Sequence, residues 1–552
     1  MTPLKRYYNL LKLDKKDVYQ IIFYAAFAGL ISLSLPLGIQ AIINFIQGGQ
    51  VSVSWIVLVI MVTLGVALVG VLSLMQLRIT ENLQQKIFVR ATFEFAYRMP
   101  KIRHKELYNQ YAPELTNRFF DTLTIQKGTS KLLLDFSTAL LQILLGIILL
   151  SLYHPVFIIF GVLLFLLLYA ILKFSFNEGV ETSLKESKYK YKGVYWLQEI
   201  ARNRFTFKSK SGLDYALMRN DKLAGDYVGS REKHFGIIKR QYTQLIIFKV
   251  LITAGLLSVG GYLVLSQKMN IGQFVAAEII ILLVLNSVEK TIIGLETLYD
   301  VLTSVEKIGQ VTDLELEPDH TAKQLQCENG IALEAEDLSF RFPDADKNAL
   351  SNINLKIQPG EKVFISGRNG SGKTTLVRLL SGYLQPTSGI FYVNENNLNK
   401  SDNDQYRNLT GVVLQGETPF EGTLLENITL NDPAITDERI KWAIENAGLS
   451  GFVKSLPLGL DTNIIPFGKQ LTASVNRKIM LARAIAKKPQ VLFLEDPTES
   501  MDEESAMKIV DFLFAPEHNW TVVVSSVNGY WRQRCNRHIE MDKGTIVTDI
   551  KI

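Results

Sequence analysis

The chain has 552 residues, of which 47% are hydrophobic and 20% charged, and its formal charge at pH 7 is +5. This length exceeds that of one ordinary domain, and so small a net charge gives no support to a nucleic-acid-binding protein. The composition is rich in apolar residues without being extreme. It therefore fits a hydrophobic part joined to a soluble part, and it disfavours a chain that lies wholly within a membrane.

The first 300 residues contain six mostly apolar stretches. A helix needs about 20 such residues to cross the hydrocarbon core of a bilayer. The predicted membrane helices cover residues 18–46, 53–77, 133–152, 156–176, 245–265 and 274–288. Six spans return the chain to the side on which it started, so the N-terminus and the region after the last span are predicted to share one side.

Two of the connections, residues 78–132 and 177–243, are long, polar and predicted to be helical. Lys and Arg cluster in both connections and also before the first span. Such a bias marks the cytosolic side of a membrane protein. Both termini and both long connections are therefore predicted to be cytosolic. Residues 1–310 are predicted to form the transmembrane domain, followed by a linker over 311–330.

A few ionisable residues lie within or at the ends of the predicted spans, namely Asp135, Lys249, Glu278 and Glu289. A charge inside a membrane is costly and is a functional candidate for that reason. Of these residues, only Glu278 falls well inside a span. It would face either a watery translocation cavity or the outer interface, and the sequence leaves both alternatives open.

The pattern changes at Ile331, where residues 331–342 alternate as in a strand. Apolar runs at 362–366, 491–494 and 521–524 resemble buried parallel strands between helical segments. Residues 331–552 are therefore predicted to form an α/β domain. The predicted fold is an α-helical six-span transmembrane bundle joined to an α/β P-loop nucleotide-binding cassette.

A phosphate-binding loop follows the strand at 362–366. The loop matches G-x-x-x-x-G-K-[ST] at every fixed position and consists of Gly367, Arg368, Asn369, Gly370, Ser371, Gly372, Lys373 and Thr374. Its glycines let backbone N–H groups turn toward phosphates, and the helix that follows adds positive potential. Lys373 is predicted to reach the β- and γ-phosphates and the Thr374 hydroxyl to ligate Mg²⁺, so the predicted ligand is ATP with Mg²⁺.

Nearly the whole sequence resembles the ABC exporter family. Residues 114–118 with Asp121 and Ile125 resemble its first cytosolic coupling segment, and residues 304–308 resemble the end of its sixth helix. The membrane part is most similar to bacterial type I secretion and peptide exporters. The resemblance implies a half-transporter in the inner (cytoplasmic) membrane, in contact with membrane lipid. It also implies pairing with a second half-transporter, as a homodimer or heterodimer, and a periplasmic adaptor.

The resemblance also implies roles for single residues of the cassette. Phe342 matches the aromatic residue that stacks on adenine, and Gln415 matches the glutamine that ligates Mg²⁺. Thr375 joins the loop in nucleotide binding. Glu495 occupies the Mg²⁺-side position after the strand at 491–494, and Asp496 occupies that of the general base.

Three motifs depart from the family pattern. Residues 471–475 read Leu-Thr-Ala-Ser-Val where the family signature is Leu-Ser-Gly-Gly-Gln, and Asp496 is one methylene shorter than the usual glutamate. Val527 stands in place of a histidine that senses the γ-phosphate, and an apolar side chain cannot donate that hydrogen bond. The sequence therefore predicts a preserved ATP-binding half and an altered hydrolytic half.

Two functions follow from this interpretation. The first is an ABC-type translocase that exports a peptide, protein or amphipathic substrate by ATP binding and hydrolysis. The second is an ATP-binding membrane regulator that does not hydrolyse ATP, or the catalytically impaired half of a heterodimeric transporter. The complete six-helix pattern favours the first function, and the three altered motifs favour the second.

Overall fold

The structure is a computed structural model that describes residues 1–47, 53–318, 330–398 and 403–552. The chain forms two compact units. The helical unit consists of Met1–Ile102 and Gln110–Glu315, and the cassette unit consists of Arg103–Asn109 and Leu316–Ile552. Much of the predicted linker at 311–330 lies outside the described residues. Arg103–Asn109 belongs to the cassette unit although the chain on both sides of it belongs to the helical unit.

The helical unit is built from long helices. They are α1 (Pro3–Leu13), α2 (Lys15–Gln47), α3 (Val53–Lys101), α5 (Ala112–Thr116), α6 (Asp121–Tyr153), α7 (Phe157–Arg202), α8 (Lys210–Gly255), α9 (Gly261–Leu265) and α10 (Ile271–Thr312). A π-helical turn, Leu256–Gly260, joins α8 to α9. The short helix α4 (His104–Leu107) lies in the segment that belongs to the cassette unit.

Six helices in the described part of the chain are long and apolar enough to cross a membrane, which confirms the predicted bundle. Several are much longer than a bilayer requires. At 1.5 Å per residue, the 49 residues of α3 extend roughly 74 Å, against a hydrocarbon core of about 30 Å. The polar connections predicted from the sequence are therefore largely continuations of the spanning helices.

Close approach between helices shapes the core of the helical unit. Gly179 on α7 packs directly against the ring of Tyr299 on α10, so that a Cβ at position 179 would overlap the ring. Tyr299 is fully buried, and its hydroxyl accepts a hydrogen bond from Gln241 Nε2 at 2.9 Å. Two of the ionisable residues noted in the spans form an ion pair, since Lys249 Nζ lies 2.6 Å from a carboxylate oxygen of Glu289.

Glu278 is half-buried on α10, and Asp135 is half-buried on α6. These positions leave both predicted alternatives for Glu278 open.

The cassette unit is an α/β domain. Its strands are β1 (Leu333–Phe340), β2 (Leu350–Ile357), β3 (Lys362–Gly367), β4 (Ser388–Val393), β5 (Asn396–Asn397), β6 (Thr410–Val413), β7 (Gly422–Thr423), β8 (Asn463–Ile464), β9 (Val491–Glu495), β10 (Thr521–Ser525), β11 (Arg537–Asp542) and β12 (Thr545–Lys551). Its helices are α11 (Lys373–Leu380), α12 (Asn403–Asn408), α13 (Leu424–Thr429), α14 (Asp437–Asn446), α15 (Ser450–Ser455), α16 (Ala473–Ala486), α17 (Glu503–Leu513) and α18 (Gly529–Arg534).

A six-stranded sheet in the order β12-β11-β3-β10-β9-β6 forms the centre of the cassette unit. Strands β3, β6, β9, β10 and β11 run parallel, and β12 pairs antiparallel at one edge. One face packs with α11 and an antiparallel sheet of order β2-β1-β4-β5, and the other packs with α16, α17 and α18. The carboxyl ends of β3, β9 and β10 meet at one edge, where ligands of parallel sheets bind.

Candidate nucleotide site

The predicted phosphate loop connects β3 to α11 at this edge. Two of its glycines are needed for steric reasons. Gly367 has φ +146° and lies so close to the Met541 carbonyl that any Cβ would overlap it. Gly372, at φ +101°, is the residue before α11 and packs against the Ala349 carbonyl. The loop therefore turns tightly and delivers the first backbone N–H groups of α11 to its inner side.

The Lys373 ammonium group lies across this loop. Its Nζ atom donates to the carbonyl oxygens of Gly367 at 2.7 Å and Arg368 at 3.0 Å. These two carbonyls hold the charge at the loop without a carboxylate partner among the described residues. A phosphate that entered the loop would offer Lys373 a charge-assisted hydrogen bond, which is about twice as strong as a neutral one.

A cavity of about 1120 Å³ opens above the loop. Eleven of the predicted site residues line it, namely Phe342, Gly367, Asn369, Gly370, Gly372, Lys373, Thr374, Thr375, Gln415, Glu495 and Asp496. The other two, Arg368 and Ser371, lie in the loop itself, where the Arg368 carbonyl accepts from the Ser371 N–H at 3.1 Å. The fold thus brings residues that are up to 154 positions apart in the sequence, Phe342 and Asp496, to one cavity.

Glu495 is the last residue of β9 and is only 3% exposed. Its Oε2 atom accepts a hydrogen bond from the Gln415 backbone N–H at 2.9 Å, while its buried Oε1 atom has no partner in the described part of the chain. Burial raises the pKa of this carboxyl, and the charge of the adjacent Asp496 adds to the effect. An unpaired carboxylate oxygen beside the phosphate loop is a ready ligand for a cation.

The residues around Glu495 fit a magnesium ion. Mg²⁺ takes oxygen ligands, commonly one or two carboxylates together with substrate phosphates. Glu495 offers a free carboxylate oxygen. Thr374, whose side chain is a hydroxyl, and Gln415, whose side chain is an amide, line the same cavity. The chemistry of this donor set suits a hard divalent cation.

Asp496 has an unusual backbone. Its φ angle is +40°, in the left-handed region that non-glycine residues seldom adopt. Its Oδ1 atom accepts a hydrogen bond from the Val527 N–H at 3.1 Å, and its own N–H donates to the Ser525 carbonyl at 2.8 Å. Such backbone strain costs about 1–3 kcal/mol and tends to occur at functional sites. The strained turn holds the Asp496 carboxylate between the ends of β9 and β10.

Residues 350–499, which include the phosphate loop and both acidic residues, match the ABC transporter family. The match lies wholly within the cassette unit. The fold of the whole chain matches that of a bacterial Atm1-family ABC exporter with ATP bound, at a TM-score of 0.83 and 17% identity, over 97% of this chain and 95% of that one.

Curated ABC relatives are similar over part of their length. The chain is 30% identical over 346 residues to the alpha-hemolysin translocation ATP-binding protein HlyB of Escherichia coli O157:H7, covering 62% of this chain and 49% of that protein. It is also 30% identical over 329 residues to the leukotoxin translocation ATP-binding protein LktB of Mannheimia haemolytica, covering 59% and 46%. The chain thus spans about half the length of these relatives.

Phe342 is partly covered by neighbouring aromatic rings. The Tyr108 ring stacks on it at a centroid distance of 5.2 Å and an angle of 24°, and the Phe340 ring meets it edge-on at 4.9 Å. Tyr108 belongs to the segment Arg103–Asn109 of the cassette unit, whereas residues 114–118, which resemble the coupling segment, belong to the helical unit. Sequence reasoning missed Tyr108 because no motif marks it.

The signature segment begins helix α16. Thr472 is its N-cap, and the Thr472 hydroxyl accepts a hydrogen bond from the Val475 N–H at 3.3 Å. Asp502 is the N-cap of α17, and its side chain accepts a hydrogen bond from the Ser505 N–H at 2.8 Å. Both polar side chains therefore satisfy the first turns of their own helices.

Val527 is 87% exposed and lines the cavity, so position 527 offers no polar side chain to it. Arg532, five residues further on, also lines the cavity and was not predicted from the sequence. No sequence motif marks this position on α18, so only the folded structure shows that Arg532 lines the cavity.

Proposed function

We propose that this chain is one half of an ATP-driven exporter that moves a peptide, protein or amphipathic substrate across a membrane. The observation that carries the proposal is one cavity lined by the phosphate loop, including Lys373 and Thr374, and by Glu495 with its unpaired oxygen. The described part of the same chain has six helices long and apolar enough to span a membrane. The names of HlyB and LktB describe translocation ATP-binding proteins, and this similarity supports a peptide or protein substrate.

In this proposal the loop residues and α11 bind the phosphates of ATP, and Lys373 leaves the carbonyls of Gly367 and Arg368 to contact the β- and γ-phosphates. Glu495, Thr374 and Gln415 hold Mg²⁺, which screens the phosphate charge. Phe342 stacks on adenine. The proposed location is the inner membrane with the cassette and both termini in the cytosol, and the proposed partners are a second half-transporter and a periplasmic adaptor.

We also propose that this chain alone hydrolyses ATP slowly. Asp496 is a short general base whose Oδ1 atom already accepts a hydrogen bond from the Val527 N–H. General-base catalysis requires the base to lie about 2.6–3.2 Å from the proton it takes. A misplacement near 1 Å can lower the rate about a hundredfold. We therefore expect ATP to bind well and to be hydrolysed slowly unless a partner chain completes the site.

The experiment is ATP-dependent phosphate release by the purified chain in liposomes, alone and with a co-purified partner chain. Lys373→Ala is the inactive control. Turnover that requires Lys373 supports an ATP-driven exporter. Tight ATP binding without turnover in either preparation contradicts it and favours the regulator.

A further inference from the structure

Two cationic side chains among the described residues line the nucleotide cavity, Lys373 and Arg532. Lys373 comes from the phosphate loop, whereas Arg532 comes from α18, which begins two residues after the exposed Val527. Three carboxylates, those of Glu495, Asp496 and Glu499, line the same cavity. A triphosphate with bound Mg²⁺, which presents a cation as well as anionic oxygens, matches this mixture of charges.

The backbone of Arg532 is fixed by its neighbours. Trp531 is fully buried, and its indole N–H donates to the Thr498 hydroxyl at 3.1 Å. His538, on β11 beside β3, contacts Arg532 twice. The Arg532 Nε atom lies 3.4 Å from His538 Nδ1, and His538 Nε2 lies 2.7 Å from the Arg532 carbonyl. The tautomer with its proton on Nε2 satisfies both contacts at once.

The end of the Arg532 side chain is available. Its Nε atom is directed to His538, and no acidic residue of the described chain pairs with its two Nη atoms. The next arginines in the sequence differ in this respect. Arg534, on the same helix, pairs with Asp511, and Arg537 pairs with Glu361 and Asp549. Arg532 is thus an arginine of α18 that faces the cavity with its terminal nitrogens unpaired by carboxylates.

We infer that Arg532 binds the terminal phosphate of ATP and supplies the positive hydrogen-bond donor that Val527 does not. This inference rests on the proposed function, because it assigns one more residue to the same site. A guanidinium group suits the role, since its planar arrangement of donors matches phosphate oxygens and its charge persists at all physiological pH values. His538 orients the group through Nε and leaves the Nη atoms for the ligand.

The test compares the affinities of the full-length protein for Mg·ATP and Mg·ADP in detergent micelles. In Arg532→Ala, ATP affinity falls about tenfold or more, which corresponds to the loss of one hydrogen bond to a charged group. ADP affinity falls less than about threefold, because ADP lacks the terminal phosphate. Arg532→Gln gives the same loss, and Arg532→Lys, which keeps the charge, recovers part of it.

Arg534→Ala is the matched control, since it removes an arginine of the same helix that pairs with Asp511. It leaves both affinities unchanged. The inference on Arg532 is overturned if Arg532→Ala and Arg532→Gln bind both nucleotides like the wild type, or lose ATP and ADP equally. Failure of the proposed function looks different, because in that case the wild type itself binds no ATP or Lys373→Ala binds it normally.

Discussion

The carboxylate of Asp496 accepts a hydrogen bond from the backbone N–H of Val527, with 3.1 Å between the two atoms. The bond uses the main chain at position 527, so it does not depend on the valine side chain. It joins the residue after β9 to a residue near the end of β10. A side-chain substitution at position 527 therefore leaves this hydrogen bond in place.

This relationship predicts the effect of lengthening the base and restoring a polar side chain. We expect Asp496→Glu combined with Val527→His to increase phosphate release about tenfold or more, because the longer carboxylate reaches beyond the Val527 N–H and the imidazole contacts the terminal phosphate. Phosphate release by the reconstituted protein is the measurement. The same pair of changes in a Lys373→Ala background should return the rate to baseline. An unchanged rate with ATP affinity preserved would show that these two residues do not limit hydrolysis.

Glu495→Gln tests the magnesium site through stability as well as binding. Burial raises the pKa of Glu495, so the folded protein without ligand disfavours its ionised form. The penalty on folding grows as the pH rises above the carboxyl's unfolded pKa toward its folded pKa, and it is absent at lower pH. Without ligand, the glutamine variant should therefore unfold at a higher temperature than the wild type at pH 7.5, and this difference should shrink as the pH falls toward 5.

The same variant should lose the response to magnesium. With ATP present, Mg²⁺ should stabilise the wild type further. In the variant we expect the apparent Mg²⁺ affinity of this stabilisation to be roughly tenfold lower or weaker still. Thermal unfolding with ATP over a magnesium titration measures it. If Glu495→Gln responds to magnesium like the wild type, Glu495 is not a ligand.

Phe342 is predicted to contribute to nucleotide affinity only through its contact with the adenine base. Stacking of a base on an aromatic ring is worth about 1–3 kcal/mol, so Phe342→Ala should weaken Mg·ATP and Mg·ADP about equally and by at least about fivefold. Affinity for magnesium tripolyphosphate, which has no base, should stay the same, and Phe342→Tyr should retain ATP affinity. Equal loss for tripolyphosphate would mean that the substitution damages the loop instead of the adenine contact.

A pair of glycines on α7 tests the packing of the helical unit. Gly179→Ala should lower the unfolding temperature, because the new methyl group overlaps the buried Tyr299 ring and overpacking costs typically 1–3 kcal/mol. Gly193→Ala, on the same helix, has open space around the position and should leave the temperature unchanged or raise it slightly. Thermal unfolding in detergent compares the two. Equal effects would contradict the contact between Gly179 and Tyr299.

The features that the sequence predicts are those marked by a pattern within a short segment. Apolar stretches of membrane-spanning length and the loop at 367–374 each lie within a short segment, so the spans, the α/β cassette and the residues of the loop were predictable. The residues that tertiary structure brings to the site were not. Tyr108 on Phe342, Arg532 at the cavity and the positive φ of Asp496 depend on how distant segments pack, and a single sequence has no periodicity that marks them.

The lengths of the helices show a second limit of prediction from sequence. The polar segments at 78–132 and 177–243 were predicted as helical connections, yet α3 continues without interruption to Lys101 and α7 to Arg202. Hydropathy marks where a helix leaves the hydrocarbon core, whereas the helix itself ends only where its backbone hydrogen bonds end. The connection between the spans is therefore mostly continued helix.

The most direct test of the account is equilibrium binding of Mg·ATP to the purified full-length protein, with Lys373→Ala compared with Lys454→Ala, an exposed lysine of α15. The account predicts that the wild type and Lys454→Ala bind ATP alike. It predicts that Lys373→Ala loses about 10- to 100-fold in affinity, the value of charge-assisted hydrogen bonds to phosphate. Absence of ATP binding by the wild type, or equal binding by all three proteins, would contradict a nucleotide site at the loop between β3 and α11.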